Sequence, residues 1–379
     1  MRLHSLKCPI LVFVVLVLVL SIVSACGVST APRPLNSSFG IAYGGPLFVD
    51  KQGSDLTTYL DDVRTFGGAN LRFDLEWRQI QPNGPSTYDW SLLDVLVKQA
   101  GSRGLSLLPI IDFPPKWAVA SGNCPGDVSC VAAPEAYGTF VKAVVQHYGN
   151  TFSVLEFGNE PNTKNSWYPK PDPATYVAAL TAVHDALAGT GMALMSGGLS
   201  PAVNEADGSA IDPRDYMMDL YKRGATKLLK YMAWHPYSFP DLPSTQDAWN
   251  SFQEMEGMQA AVTAAGYAYV PIMITEEGAP TCGSGRRLDA VGQPNISDGK
   301  DGDYMSPQGQ ADILVDAVNR YRADVKSGIL GGPLFFFTLH DRNSQVGSTS
   351  ENCFGLRPSG SNGTKPSFDQ LQPIINQAA

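Results

Sequence analysis

The chain has 379 residues, 44% of them hydrophobic and only 17% charged, which supplies a large core and excludes a disordered chain. Its formal net charge of −9, with no basic cluster, excludes a nucleic-acid partner, because such a surface repels phosphates. Neutral ligands such as sugars remain compatible.

In chain order, the first element is an address label. Arg2 and Lys7 precede an apolar run from Pro9 to Val23, too short to span a membrane and flanked as a signal peptide is. Val23-Ser24-Ala25-Cys26 resembles a bacterial lipobox. The resemblance implies cleavage after residue 25 and a diacylglyceryl anchor on Cys26; an ordinary signal peptide with an incidental cysteine is the alternative. Residues 26–38 are small, polar and proline-containing and read as a tether, leaving 39–379 as the folded domain.

From residue 39 short apolar runs alternate with amphipathic stretches, the pattern of repeated β-α units. Strands are predicted at Phe39–Tyr43, Asn70–Phe73, Leu105–Ile111, Val154–Gly158, Ala193–Gly197, Tyr231–His235, Pro271–Thr275 and Gly332–Phe337. Helices are predicted at Asp55–Phe66, Ser91–Ser102, Pro134–Tyr148, Pro173–Ala188, Pro213–Arg223, Thr245–Ala265 and Pro307–Lys326, with a short last one at Phe368–Gln377. Several open on Pro or follow Ser, Asp or Thr, as helix starts do. Eight strands, each followed by a helix, with no composition break, predict a single-domain α/β fold, the (β/α)₈ TIM barrel. The rival is an open doubly wound sheet. It would carry a glycine-rich phosphate turn after its first strand, and Gly44-Gly45-Pro46 is not one.

Four cysteines remain beyond Cys26. An even number in an exported chain suggests two disulfides, Cys124 with Cys130 inside one loop and Cys282 with Cys353 across two loops. A zinc site is the weaker alternative, since no histidine sits at ligand spacing beside them. No cofactor is expected: the chain has no His-x-x-x-His pair, phosphate loop or dinucleotide turn.

Barrel enzymes carry their chemistry at the C-terminal ends of strands. Glu160 follows the fourth strand, in Gly158-Asn159-Glu160-Pro161, and Glu276 ends the seventh, in Thr275-Glu276-Glu277-Gly278. Both can point into one cleft. Acetal cleavage needs such a pair: one carboxyl protonates the leaving oxygen while the other attacks or stabilises the anomeric carbon. The acid should have a pKa raised towards ~6. Glu277 is the rival nucleophile, but adjacent strand residues face opposite ways, so only one of the two enters the cleft. Glu156 lies four residues deeper than Glu160 and reads as a buried ion-pair partner.

Asn159-Glu160-Pro161 and Thr275-Glu276-x-Gly278 resemble the signature of clan A glycoside hydrolases, retaining enzymes on (β/α)₈ barrels. Leu71-Arg72-Phe73, Trp77, Gln81-Pro82, Tyr88-Asp89-Trp90 and His235-Pro236-Tyr237 extend the likeness to the family 39-like and cellulase-like members, over most of residues 39–340. The resemblance implies Glu160 as general acid/base and Glu276 as nucleophile. It implies Asn159 on the sugar 2-hydroxyl, Arg72 and Tyr237 on the nucleophile, and His235 on sugar or acid/base. Sugar platforms are expected among Trp77, Trp117 and Trp167, which follow strands at the proper end. The clan places a Trp on strand eight. Here that strand reads Phe335-Phe336-Phe337-Thr338, and Phe337 or His340 is the substitute. The expected partners are a carbohydrate, xylan-like, cellulose-like or a cell-envelope glycan, and a membrane through the lipid anchor; a monomer is expected. A non-catalytic sugar-binding lipoprotein on the same barrel is the rival function.

Overall fold

The computed structural model describes residues 34–35, 39–119, 124–126, 128–149, 151–289, 291, 302–344, 349–360 and 363–377. Eight parallel strands run in chain order: β1 Phe39–Ala42, β2 Asn70–Glu76, β3 Ser106–Asp112, β4 Val154–Phe157, β5 Ala193–Leu199, β6 Tyr231–Trp234, β7 Ile272–Ile274 and β8 Leu334–Phe337. Each pairs with its sequence neighbour, and β8 pairs with β1. Bridges from Ile272 to Leu330 and from Glu277 to Phe336 join β7 to β8 and close the ring. Helices follow the strands: α1 Gly53–Phe66, α2 Ser91–Ser102, α3 Pro134–Tyr148, α4 Pro173–Leu187, α5 Pro213–Lys222, α6 Ser251–Ala264, α7 Pro307–Ser327 and α8 Pro366–Asn376. The predicted (β/α)₈ TIM barrel is the fold, and the barrel with its loops is one compact unit.

The strands read as continuous apolar runs because both of their faces are buried. Alternate residues serve two cores. Leu71, Phe73, Leu155, Trp234, Ile274 and Phe336 pack outwards against the helices. Ala42, Leu108, Val154, Met195, Ala233, Met273 and Phe335 fill the barrel. The same parity points Arg72 and Glu156 towards the axis; Glu276 stands two residues past the end of β7, where the alternation no longer holds.

The helices begin where a side chain satisfies their free amides. Asp172, Asp212, Asn250 and Ser306 accept from the backbone N–H groups of Ala174, Arg214, Phe252 and Gly309, opening α4, α5, α6 and α7. This corrects one boundary. The helix predicted from Thr245 begins at Ser251, because Asn250 caps it and also donates to the carbonyls of Leu242 and Thr245, stapling the preceding stretch as a loop. β2 also runs three residues past its predicted end, to Glu76, paired with β3 as far as Asp112.

Both predicted disulfides are present, Cys124–Cys130 in the loop after β3 and Cys282–Cys353 between the loops after β7 and β8. The predicted signal segment 1–25 and Cys26 lie outside the described residues. The end of the predicted tether does not hang free. The Pro34 carbonyl accepts from Ser106 Oγ at 3.0 Å and the Leu35 N–H donates to Ser153 Oγ at 3.2 Å, at the N-terminal ends of β3 and β4. Among the described residues no helix is long and apolar enough to cross a membrane.

Candidate active site

The site grows from one buried cation. Arg72 on β2 is 1% exposed. Its Nε and Nη2 donate to the two oxygens of Glu156 at 2.7 and 2.9 Å, Nη1 donates to Glu276 Oε1 at 2.6 Å, and Nη2 also reaches Asn159 Oδ1 at 2.8 Å. A guanidinium buried without carboxylates would be too costly to keep, and losing either partner of such a pair costs about 3–5 kcal/mol. Glu156 is the ion-pair residue the sequence predicts. The pair orients the fork so that its remaining N–H groups fix Glu276 and Asn159.

Glu276 has its second oxygen occupied as well: Tyr237 donates its hydroxyl to Oε2 at 2.6 Å. Burial pushes the Glu276 carboxyl up. The charges of His235 and Arg72, and the hydrogen bonds from Tyr237 and Arg72, outweigh that and hold it below the usual glutamate range. Burial and the adjacent Glu276 anion drive the Tyr237 phenol well above its ordinary value, so it stays a neutral donor. Glu277 points the other way: its backbone bridges to Phe336, whose side chain packs outwards. Its carboxyl oxygens are buried with no hydrogen-bonding side chain among the described residues, and burial pushes it well above the carboxylate range.

Glu160 sits on a strained turn. Its φ of +46° is in the left-handed region, which a glutamate adopts only when its surroundings impose it. They do so here: its N–H donates to the Gly198 carbonyl at 2.9 Å, and Thr163 N–H returns to the Glu160 carbonyl. Asn162 locks the same turn, donating to the carbonyls of Ser200 and Ile211 and accepting from Ser200 N–H. The Glu160 side chain is 27% exposed, against 8% for that of Glu276, so it is the more open to the cleft.

His235 stands between the two acids. Its Nδ1 lies 3.2 Å from Glu160 Oε1 and 3.6 Å from Glu276 Oε2, and its Nε2 lies 3.1 Å from the buried Thr275 Oγ1. Gly198 makes room for the ring. A Cβ there would stand 2.0 Å from His235 Nε2 and 2.5 Å from Thr275 Oγ1. Gly198→Ala is therefore expected to displace the imidazole and lower kcat/KM by about a hundredfold while far-UV circular dichroism is unchanged. A variant with full activity would remove His235 from the account.

These groups open into a cavity of about 810 Å³ at the C-terminal ends of the strands, lined by Asn159, Glu160, Tyr237, Glu276 and Phe337 together with Trp249. Phe337 lines this cavity, its ring packed on Phe354 at 5.4 Å and fitted over Gly44, whose absent side chain leaves it space. His340 instead lies 3.1 Å from Asp62 and lines a neighbouring cavity.

The predicted aromatic platforms need correction. Trp77 is 1% exposed, stacks on Phe140 at 4.8 Å and donates to Gln81; it belongs to the layer between barrel and helices. Trp167 is 3% exposed, bonds Thr175 and packs on Tyr176. Trp117 is exposed but its indole donates to the Gln81 carbonyl and stands edge-on to Trp77, outside the cavity lining. The tryptophan that does line the cavity is Trp249, 48% exposed in the loop stapled by Asn250. Reading 245–265 as helix hid it. Asp74 and Asp112 also line the cavity. Asp112 ends β3, so the strand-end criterion that finds Glu276 finds it too.

No family model matches the chain, and no curated protein matches it by sequence. Solved structures do match by fold. A family 39 glycoside hydrolase from Bacteroides cellulosilyticus WH2 superposes with a TM-score of 0.65 at 16% identity, over 91% of this chain. The chain spans 64% of the length of that relative. A monomeric β-xylosidase from Caulobacter crescentus CB15 gives 0.58 at 15% identity, over 91% of this chain and 69% of that one. A β-glucosidase from Exiguobacterium marinum gives 0.59 at 14% identity, over 91% and 99%. In its eight-stranded parallel barrel the chain is similar to these glycoside hydrolases.

Proposed function

We propose that the protein is a retaining glycoside hydrolase, with Glu276 as nucleophile and Glu160 as general acid/base. The observation that carries this is the unequal treatment of two carboxyls around one histidine. Glu276 is held as an anion by Arg72 and Tyr237, whereas Glu160 is open to the cleft and, among the described residues, its carboxyl is bonded through the His235 ring. One acid held ionised and enclosed, with the other open to the incoming bond, is the arrangement a double displacement uses. In the first half, Glu160 gives its proton to the leaving oxygen as Glu276 attacks the anomeric carbon. In the second, Glu160 takes a proton from water, which attacks the same carbon and releases Glu276.

The spacing is compatible with retention. Since His235 Nδ1 contacts both acids, at 3.2 and 3.6 Å, Glu160 Oε1 and Glu276 Oε2 are at most about 6.8 Å apart, which reaches only the lower edge of the inverting range. Retaining pairs stand ~5–5.5 Å apart and inverting pairs ~6.5–9.5 Å. Asn159, whose carbonyl oxygen is taken by Arg72, has its NH₂ left to donate to the sugar 2-hydroxyl. Phe337 and Trp249 serve as the apolar walls for pyranose faces.

The disulfides support an oxidising, extracytoplasmic location. Export by the N-terminal segment and tethering through Cys26 are part of the proposal, and a polysaccharide or oligosaccharide near the cell envelope is the substrate it implies. The test is stereochemical. Proton NMR of the first product from an aryl β-glycoside should show the β-anomer before mutarotation; an α-anomer would contradict the double displacement.

A further inference from the structure

Resting on that reading, one group in the cleft has no part in the reaction. Asp112, at the C-terminal end of β3, is 4% exposed and lines the cavity, yet neither of its carboxylate oxygens has a hydrogen-bond partner among the described residues. A buried carboxylate without a donor is unfavourable by several kcal/mol unless something completes it. Its neighbours do not. Glu76 is its register partner on β2, and Asp74 lies two residues before Glu76 on the same face. The cations nearby are engaged elsewhere: Arg72 by Glu156, Glu276 and Asn159, and Arg78 by both oxygens of Glu76. Among the charged described residues lining the cavity, five are acids (Asp74, Asp112, Glu160, Glu276 and Glu351) and one, Arg342, is a cation, which donates to the Gly44 carbonyl. In the unliganded site protons cover this excess, and a cationic ligand would displace them.

We propose that Asp112, with Asp74, forms a subsite for the protonated amine of an amino sugar, so that the preferred glycan carries unacetylated amino groups. A hydroxyl could accept or donate one hydrogen bond there but brings no charge; an ammonium group offers three donors and a positive charge that the surrounding acids attract. In the unliganded site, burial and the neighbouring acids push the Asp112 carboxyl well above its ordinary range and that of Asp74 to about 7. An arriving ammonium group reverses that, so binding releases a proton.

The test uses Glu160→Gln, which slows turnover, and measures binding by calorimetry at pH 6 in two buffers of different ionisation enthalpy. The probes are the tetramer of β-1,4-linked glucosamine, its N-acetylated form and cellotetraose. The glucosamine tetramer should bind at least about tenfold more tightly than the other two and release a proton that they do not. Adding Asp112→Asn should erase both differences, and adding Asp185→Asn, an exposed acid on α4, should leave them intact. Equal affinity for all three probes overturns the proposal, as does an advantage that survives Asp112→Asn, which would reflect only the net charge of the protein. Should Asp112→Asn fail to fold, proton release in the Glu160→Gln protein decides alone. Tight binding of cellotetraose without preference would sink the amine subsite and leave the glycosidase reading standing.

Discussion

Glu276→Gln is expected to lower kcat by roughly four orders of magnitude or more with little change in fold. The amide is the same shape but cannot form a glycosyl ester that water then hydrolyses. It would also replace the anion that Arg72 Nη1 and Tyr237 both contact, so these two donors would lose their acceptor charge. Glu156 stays paired with two other N–H groups of Arg72, and the barrel is therefore expected to keep its thermal midpoint within a few degrees. The measurement is steady-state turnover of an aryl glycoside alongside a melting curve. A variant that melts normally and still turns over near the wild-type rate would take the nucleophile away from Glu276. In that case Glu277 could not replace it, since its side chain is fully buried on the other face of the strand.

The second large effect is expected at Glu160. Glu160→Ala should lower kcat/KM by about 10²–10⁴ for substrates with poor leaving groups, which need the proton, and much less for a dinitrophenyl glycoside, which does not. With that good leaving group the glycosyl-enzyme forms but waits for a base to activate water. Azide needs no base: it attacks the anomeric carbon, Glu276 departs as carboxylate, and a glycosyl azide results. Rate recovery with azide and isolation of that product are the expected results. Loss of activity on all substrates alike, with no azide product, would give Glu160 another part, such as holding His235 in place.

The barrel and the centre of its site are legible in the sequence for a physical reason. A strand buried on both faces reads as an apolar run, so a charged residue inside or at the end of one stands out. Arg72, Glu156, Glu160 and Glu276 are all of this kind. The aromatic wall was less legible. A tryptophan in a loop carries no mark of whether it covers the cleft or the helix layer, and Trp77 and Trp167 cover the latter. Trp249 was masked by a helix pattern that the Asn250 cap cuts short. Asp112 obeys the same strand-end rule as Glu276, but its neighbours Ile111 and Phe113 make it look like the edge of a core strand rather than the floor of a cleft.

The most direct test of the central claim is to trap the covalent intermediate. The protein would be incubated with a panel of 2-deoxy-2-fluoro aryl β-glycosides, whose fluorine slows hydrolysis of the glycosyl ester, then digested and sequenced by mass spectrometry. One sugar of the panel should add its mass to the peptide containing Glu276, at that residue, and Glu276→Gln should abolish the adduct. An adduct on Glu160, or turnover of natural glycan with no adduct from the matching fluorosugar, would contradict a double displacement through Glu276.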